Sequence, residues 1–61
     1  MAARIPTQKK ILNAAEMLFS RDGFEQTSLR QITQEAGVNL ASVNYHFGSK
    51  KALIQAVMAR Y

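Results

Sequence analysis

The chain has 61 residues, enough for one small domain, and a domain of this size buries only about 60% of the surface that its unfolded chain exposes. It contains no cysteine and a single histidine, so the sequence predicts neither a disulfide framework nor a metal site. The formal net charge is +4 and the sequence pI is about 10.0. This balance is typical of nucleic-acid binders, although many basic proteins bind none.

The net positive charge lies mostly in the last 25 residues, because they contain no acidic residue. Residues 1–36 contain five basic and four acidic residues, whereas residues 37–61 contain three basic residues and no acidic one. No stretch is apolar for long enough to span a membrane or to act as a signal peptide, so we expect a cytoplasmic protein. The carboxylates are scattered, and there is no glycine-rich phosphate loop and no nucleophile–base pair beside the histidine. The sequence therefore argues against an enzyme and against a bound cofactor.

Apolar residues recur at helical spacing early in the chain and predict a first helix over about residues 7–22. The stripe consists of Ile11, Leu12, Ala15, Leu18 and Phe19. Pro6 suits the first turn of this helix, where a missing N–H is no loss. Gly23 and Phe24 predict a Schellman ending, with the glycine in the left-handed conformation and Phe24 packed back on the helix.

A second helix is predicted over about residues 28–36. Ser28 and Gln31 have the spacing of a capping box, and Gly37 stops the helix after about two turns. The residues expected to form its buried stripe are Leu29, Ile32 and Ala36.

The third predicted helix covers about residues 40–46 and follows Asn39, a good N-cap residue. Val43 and Phe47 are spaced to face the core, and we expect all three phenylalanines of the chain to be core residues. The rest of this helix lacks the Lys and Glu pairs of an ordinary solvated helix. Its remaining side chains are small, polar and uncharged: Ala41, Ser42, Asn44, Tyr45 and His46.

The fourth predicted helix, about residues 50–61, follows Ser49 and is apolar nearly all round. Such a helix is normally buried on several sides, yet so short a domain has nothing left to cover Ile54, Met58 and Tyr61. We therefore expect a larger C-terminal domain, or a partner, to cover this face. The four helices together predict an all-α fold, a small helical bundle with a homeodomain-like helix-turn-helix.

The second and third helices, joined by a tight turn containing glycine, have the pattern of a helix-turn-helix motif. A major groove about 12 Å wide admits one helix if small side chains let its backbone approach, and Ala41 and Ser42 meet that condition. Asn44 suits an adenine edge, while Tyr45 and His46 suit phosphates or bases. The alternative is a short solvated helix in an ordinary three-helix bundle.

Basic and hydroxyl side chains flank this motif. Lys50 and Lys51 fall in the first turn of the fourth helix, where the helix dipole disfavours cations but free N–H groups suit a DNA phosphate; the alternative is two ordinary surface lysines. Arg30 suits a guanine edge or a phosphate, or is a plain surface arginine. Thr27 and Ser28 suit hydroxyl and amide contacts to phosphate, although capping alone explains Ser28.

The main competing function is a helical protein-interaction module that uses the apolar face of helix four. Such a module would bind a partner through that face and would not bind DNA.

These segments together resemble the TetR family of transcriptional regulators over about residues 9–57. The matching pieces are spread along the span: 11–15 with 18–19, 23–24, 27–32, 36–38 and 45–50. Within the family, residues 37–50 look most like a branch that includes fatty-acid-responsive repressors.

The resemblance implies an N-terminal DNA-binding domain followed by a ligand-binding and dimerising helical domain that is absent from this chain. It implies a bacterial repressor that binds a palindromic operator in double-stranded DNA as a homodimer, and that releases it when a small-molecule inducer binds the C-terminal domain. The positions implied to face bases are Arg30, Leu40, Ala41, Ser42 and Asn44. The positions implied to hold phosphates are Thr27, Ser28, Tyr45, His46 and Lys50.

Two positions depart from the family's usual pattern. Many members carry tyrosine where this chain has Asn44, and a small polar or basic residue where it has Leu40. The base preference is therefore not carried over from the family, and Leu40 suits contact with a thymine methyl group.

Overall fold

The computed structural model of the chain describes residues 6–60. These residues form no strand and four helices: α1 (Thr7–Asp22), α2 (Leu29–Ala36), α3 (Leu40–His46) and α4 (Lys50–Met58). The predicted all-α fold is confirmed, and the first three helices lie within one residue of their predicted bounds. No helix in the described part of the chain is long and apolar enough to cross a membrane.

α1 is the centre of the bundle, because α2, α3 and α4 each pack against it and α2 also packs against α3. Its buried face is made by Ile11, Ala14, Ala15, Leu18 and Phe19. The other three helices insert Ile32, Val43, Leu53 and Val57 into the same core. This packing places α3 on one side of the molecule, with a single buried residue and its other side chains turned outward or half-buried.

The end of α1 differs from its prediction. Gly23 has a positive φ of 89°, but its ψ of 159° lies outside the left-handed helical region, so the predicted Schellman ending is wrong. The Phe19 carbonyl, which that ending would offer to the N–H of Phe24, accepts the N–H of Gly23 at 2.9 Å instead. Phe24 is therefore a surface residue rather than a core residue: it is 38% exposed and its ring lies edge-on against Phe19, with 4.9 Å between centroids.

α2 begins and ends as predicted, because its signals are local. The hydroxyl oxygen of Ser28 accepts the N–H of Gln31 at 3.1 Å, and the side-chain oxygen of Gln31 accepts the N–H of Ser28 at 2.8 Å, which completes the capping box. Gly37 adopts the left-handed conformation, with φ 72° and ψ 32°. The N–H of Val38 then reaches back to the carbonyl of Thr33 at 3.1 Å, and the chain turns into α3.

α4 ends at Met58, so the predicted helix over residues 50–61 is too long. Ala59 and Arg60 form a turn in which the guanidinium of Arg60 reaches back to α1, donating to Glu16 at 3.0 Å and to Asn13 at 2.9 Å. This contact ties the end of α4 to α1 across 44 and 47 residues of sequence, a link that no local pattern could reveal.

The apolar face of α4 is less bare than predicted. Ile54 is partly buried and packs against the core, so the prediction that it is uncovered is wrong. Met58 is 51% exposed, as expected. Tyr61, the third residue of the predicted face, lies outside the described residues.

At the other end of the domain, Pro6 stands just before the first turn of α1 rather than within it.

Candidate nucleic-acid interface

Four exposed side chains share one face of α3. At about 100° per residue, Leu40, Asn44, Ala41 and Tyr45 fall in that order within an arc of about 140°. The fully buried Val43 anchors the opposite side of the helix in the core. Three of the predicted base-facing residues are therefore brought together on one outward surface, and Tyr45, 86% exposed, stands at its margin.

Ser42, the fourth predicted base-facing residue of α3, lies on the flank of this face and is partly buried. The side-chain oxygen of Asn39 accepts the backbone N–H of Ser42 at 2.9 Å and its hydroxyl at 3.1 Å. Asn39 is thus the N-cap that the sequence predicts. The hydroxyl proton of Ser42 is committed to that cap, so Ser42 can offer a base only its acceptor lone pairs.

Asn44 presents its whole amide outward, because that side chain has no hydrogen-bond partner within residues 6–60. One carbonyl acceptor and two N–H donors are therefore available for a ligand. The neighbouring Tyr45 and His46 support each other, with ring centroids 5.1 Å apart and planes at 81°. Both are exposed at the C-terminal end of α3, where the sequence predicts phosphate contacts.

The first turn of α2, the helix that packs against α3, presents free backbone donors. Its capping box satisfies the N–H groups of Ser28 and Gln31, which leaves those of Leu29 and Arg30 without an intrahelical acceptor. The sequence prediction placed hydroxyl and amide contacts at Thr27 and Ser28 and missed the amides of Leu29 and Arg30, although the capping-box spacing identifies them. The Ser28 side chain is exposed, and its hydroxyl proton remains free to donate.

The first turn of α4 has the same form. The hydroxyl oxygen of Ser49 accepts the N–H of Ala52 at 3.1 Å, which leaves the N–H groups of Lys50 and Lys51 facing out of the helix. Lys50 is partly buried and Lys51 is exposed. Free amides and two ammonium groups therefore coincide at one helix start, where the helix dipole also favours an anion.

Thr27 does not belong to this surface. Its side chain is 1% exposed, and its hydroxyl donates to the carbonyl of Gly23 at 2.8 Å and lies 3.3 Å from that of Leu18. A buried hydroxyl whose proton is committed to the α1–α2 loop cannot also donate to a phosphate. The structure thus contradicts the phosphate contact implied for the Thr27 side chain and gives it a structural role instead.

The cations of the domain fall into two groups. Arg30, Lys50 and Lys51 form no ion pair with any residue of the described range. By contrast, Arg21 pairs with Asp22 at 3.1 Å, and its hydrogen bonds lower the pKa of that carboxyl and raise the pKa of the Arg21 guanidinium. Arg60 pairs with Glu16. Lys9 and Lys10, in the first turn of α1, are likewise unpaired. The other unpaired cations lie on α2 and at the start of α4, on either side of α3 in the sequence.

This arrangement is a helix-turn-helix surface with free donors at the starts of the two flanking helices. Residues 11–57 match the family described as bacterial regulatory proteins, tetR family. The chain belongs to the TetR family. The resemblance seen in the sequence is thereby confirmed.

Curated TetR-type relatives agree with this assignment. The chain is 42% identical over 53 residues to the HTH-type transcriptional regulator UidR of Escherichia coli K12. The aligned segment covers 87% of this chain and 27% of UidR. It is 47% identical over 51 residues to the regulator RutR of the same strain, and the aligned segment covers 84% of this chain and 24% of RutR. It is 36% identical over 58 residues to the probable HTH-type transcriptional regulator YttP of Bacillus subtilis 168, covering 95% and 28%.

A solved structure shows the same fold. The crystal structure of a HlyIIR mutant protein superposes with a TM-score of 0.88 at 41% sequence identity, over 100% of this chain and 33% of the other. The chain thus spans about a quarter to a third of the length of the proteins it matches. The curated relatives are named as transcriptional regulators rather than enzymes, and this chain is a DNA-binding helix-turn-helix domain of the TetR family.

Proposed function

We propose that this TetR-family domain reads one half-site of a palindromic operator, with α3 in the major groove. The observation that carries the proposal is the outward face of α3, where Leu40, Ala41 and an unpartnered Asn44 lie together. Small and neutral side chains allow the close approach that base contact requires. The unpaired cations and free amides on either side supply the sequence-independent attraction to phosphate.

Each predicted residue except Thr27 keeps a role in this proposal that its surroundings allow. The base contacts are Arg30, Leu40, Ala41 and Asn44, with Ser42 acting only as an acceptor. The phosphate contacts are Ser28, Tyr45, His46 and Lys50, joined by the first-turn amides of α2 and α4. The Thr27 side chain is left out, because it is buried.

We further propose that the complete protein is a homodimeric repressor in the bacterial cytoplasm. The relatives are three to four times as long as this chain, which leaves room in them for the C-terminal domain that the family resemblance implies. That domain would join two copies and bind the small-molecule inducer. Dimerisation raises the effective concentration of the second headpiece at its half-site, so the 61-residue chain alone should bind DNA weakly.

A mobility-shift titration of the chain with random-sequence duplex at low salt tests the DNA-binding proposal. We expect a shift that weakens steeply as salt is raised, because phosphate contacts release counterions. Footprinting the complete protein tests the dimer, and a protected region without two-fold sequence symmetry would contradict it.

The interaction-module alternative has one observation in its favour. Phe24 and Met58, two exposed apolar side chains, line a groove with Phe19 and Val57 between α1 and α4. If this groove were the working surface, the chain would bind no duplex at low salt, and Met58→Glu would abolish capture of a protein partner. A duplex shift that persists in Met58→Glu supports the DNA-binding function instead.

A further inference from the structure

We propose that α3 reads an A·T-containing step and that Leu40 does so through the C5-methyl group of a thymine. This inference rests on the DNA-binding function proposed above and adds to it the class of base pair that the recognition helix selects. It rests on which side chains the outward face of α3 contains and on which base-selective side chains are missing from that helix.

The face lacks the side chains that select G·C pairs. The commonest guanine contact is a bidentate Arg or Lys, and cytosine is read by Asp or Glu, but α3 contains none of these four residue types. Ser42 has already committed its hydroxyl proton to Asn39. Among the predicted base-facing residues, a bidentate guanine contact is therefore available only to Arg30, which stands on α2 rather than on α3.

What the face does offer matches a thymine beside an adenine. Leu40 is a branched aliphatic side chain that stays 46% exposed in the first turn of α3. The thymine methyl is the apolar group among the base edges of the major groove, so it is the ligand that an exposed leucine there selects. Asn44 supplies the amide that pairs with the N6 and N7 atoms of adenine.

Helix geometry places these two readers on neighbouring base pairs. Leu40 and Asn44 are four residues apart, so their Cβ atoms are separated by about 5–6 Å along one face of the helix. Successive base pairs are about 3.4 Å apart. The two side chains can therefore address adjacent or next-but-one pairs in one docking pose, which makes the thymine and the adenine parts of one short step.

The experiment begins by selecting duplexes from a randomised pool with the 61-residue chain at low salt. Each thymine of the enriched duplex is then replaced in turn by uracil, which removes only the methyl group, and binding is measured for each duplex. For the unmodified chain we expect about a fourfold loss of affinity at one thymine, the effect of withdrawing one methyl group from an apolar contact. Replacement at the remaining thymines should matter less.

Variants assign this sensitivity to Leu40. Leu40→Ala keeps a strong helix former at this position. The variant should bind the thymine duplex more weakly than the unmodified chain does, and it should bind the thymine and uracil duplexes with equal affinity. Met58→Ala is the matched control, because it shortens another apolar side chain of similar exposure at the far end of α4. It should keep the fourfold difference. Circular dichroism of both variants verifies that the helices are intact.

The outcomes separate this inference from the function on which it rests. If no duplex is bound or enriched, the proposed function fails and the inference fails with it. If a duplex is enriched but uracil is tolerated at every position, or if Leu40→Ala keeps the same sensitivity, DNA binding stands and thymine recognition by Leu40 is wrong. A preference for G·C pairs opposite Asn44, revealed by Asn44→Ala, would likewise overturn the A·T assignment.

Discussion

Two parts of this domain carry similar polar side chains, but those of one part are paired within the chain and those of the other part are not. On the outer side of α1, Arg21 pairs with Asp22, and Arg60 reaches both Glu16 and Asn13. On α2, on α3 and at the start of α4, the charged and amide side chains most suited to DNA have no partner among the described residues. Exposed ion pairs contribute little to stability, so the contrast is not one of stability. It shows which groups remain available to a partner outside the chain.

The first way to test this contrast is to remove a hydroxyl that the structure assigns to the scaffold. Thr27→Val should lower the free energy of unfolding by about 1–3 kcal/mol, because the Gly23 carbonyl loses its hydroxyl donor and the Leu18 carbonyl loses a hydroxyl 3.3 Å away. Urea denaturation measures this loss. The slope of log affinity against log salt should not change. A shallower slope in a folded variant would mean that the Thr27 side chain does contact a phosphate.

A base-reading residue on the α3 surface should behave in the opposite manner. Asn44→Ala should cost about 1–3 kcal/mol of discrimination at a single base pair, because a bidentate contact to adenine is lost. The free energy of unfolding should change by no more than about 0.5 kcal/mol, since the side chain is exposed and unbonded. Competition binding with duplexes changed at one position measures the discrimination. Unaltered preference at every position would rule out direct reading by Asn44.

Lys50 tests the phosphate contacts with a matched pair of cations. Lys50→Ala should weaken binding to all sequences alike and reduce the slope of log affinity against log salt by roughly 0.9, the value for one phosphate. Arg21→Ala removes the same charge, but at a side chain that already pairs with an acidic residue. The slope of log affinity against log salt for this variant should equal that of the unmodified chain. Equal changes in the two variants would mean that only net charge matters and that the start of α4 is no specific site.

The smallest effect is expected at the link between α4 and α1. Arg60→Ala should lower the free energy of unfolding by about 0.2–1 kcal/mol, the range for a partly exposed ion pair. Base discrimination should not change, because Arg60 lies on the paired surface. Thermal denaturation and the single-position duplex series check these two expectations. An altered base preference would mean that the end of α4 sets the pose of α3.

Sequence reasoning succeeded where the controlling contact is local. Ser28 with Gln31, Asn39 and Ser49 cap their helices within three residues, so the starts of α2, α3 and α4 follow from short patterns. The outward face of α3 follows equally well, because Val43 alone turns its side of that helix into the core.

The errors arose where distant residues meet. The hydroxyl of Thr27 bonds in the loop that ends α1, and Arg60 reaches across 44 residues at the end of α4. Both contacts depend on how the helices pack, which periodicity does not contain. Thr27 and Ser28 show the same limit at the site, since two adjacent hydroxyl residues look alike in sequence while one is buried and the other is exposed.

Amide chemical shifts recorded by nuclear magnetic resonance during titration with the enriched duplex test the contrast most directly. The largest changes are expected along Leu40–Tyr45 and at the first-turn amides of α2 and α4, with the outer side of α1 nearly unchanged. Changes concentrated at Met17, Phe24 and Met58, with α3 unperturbed, would contradict the account and identify the α1–α4 side as the working surface.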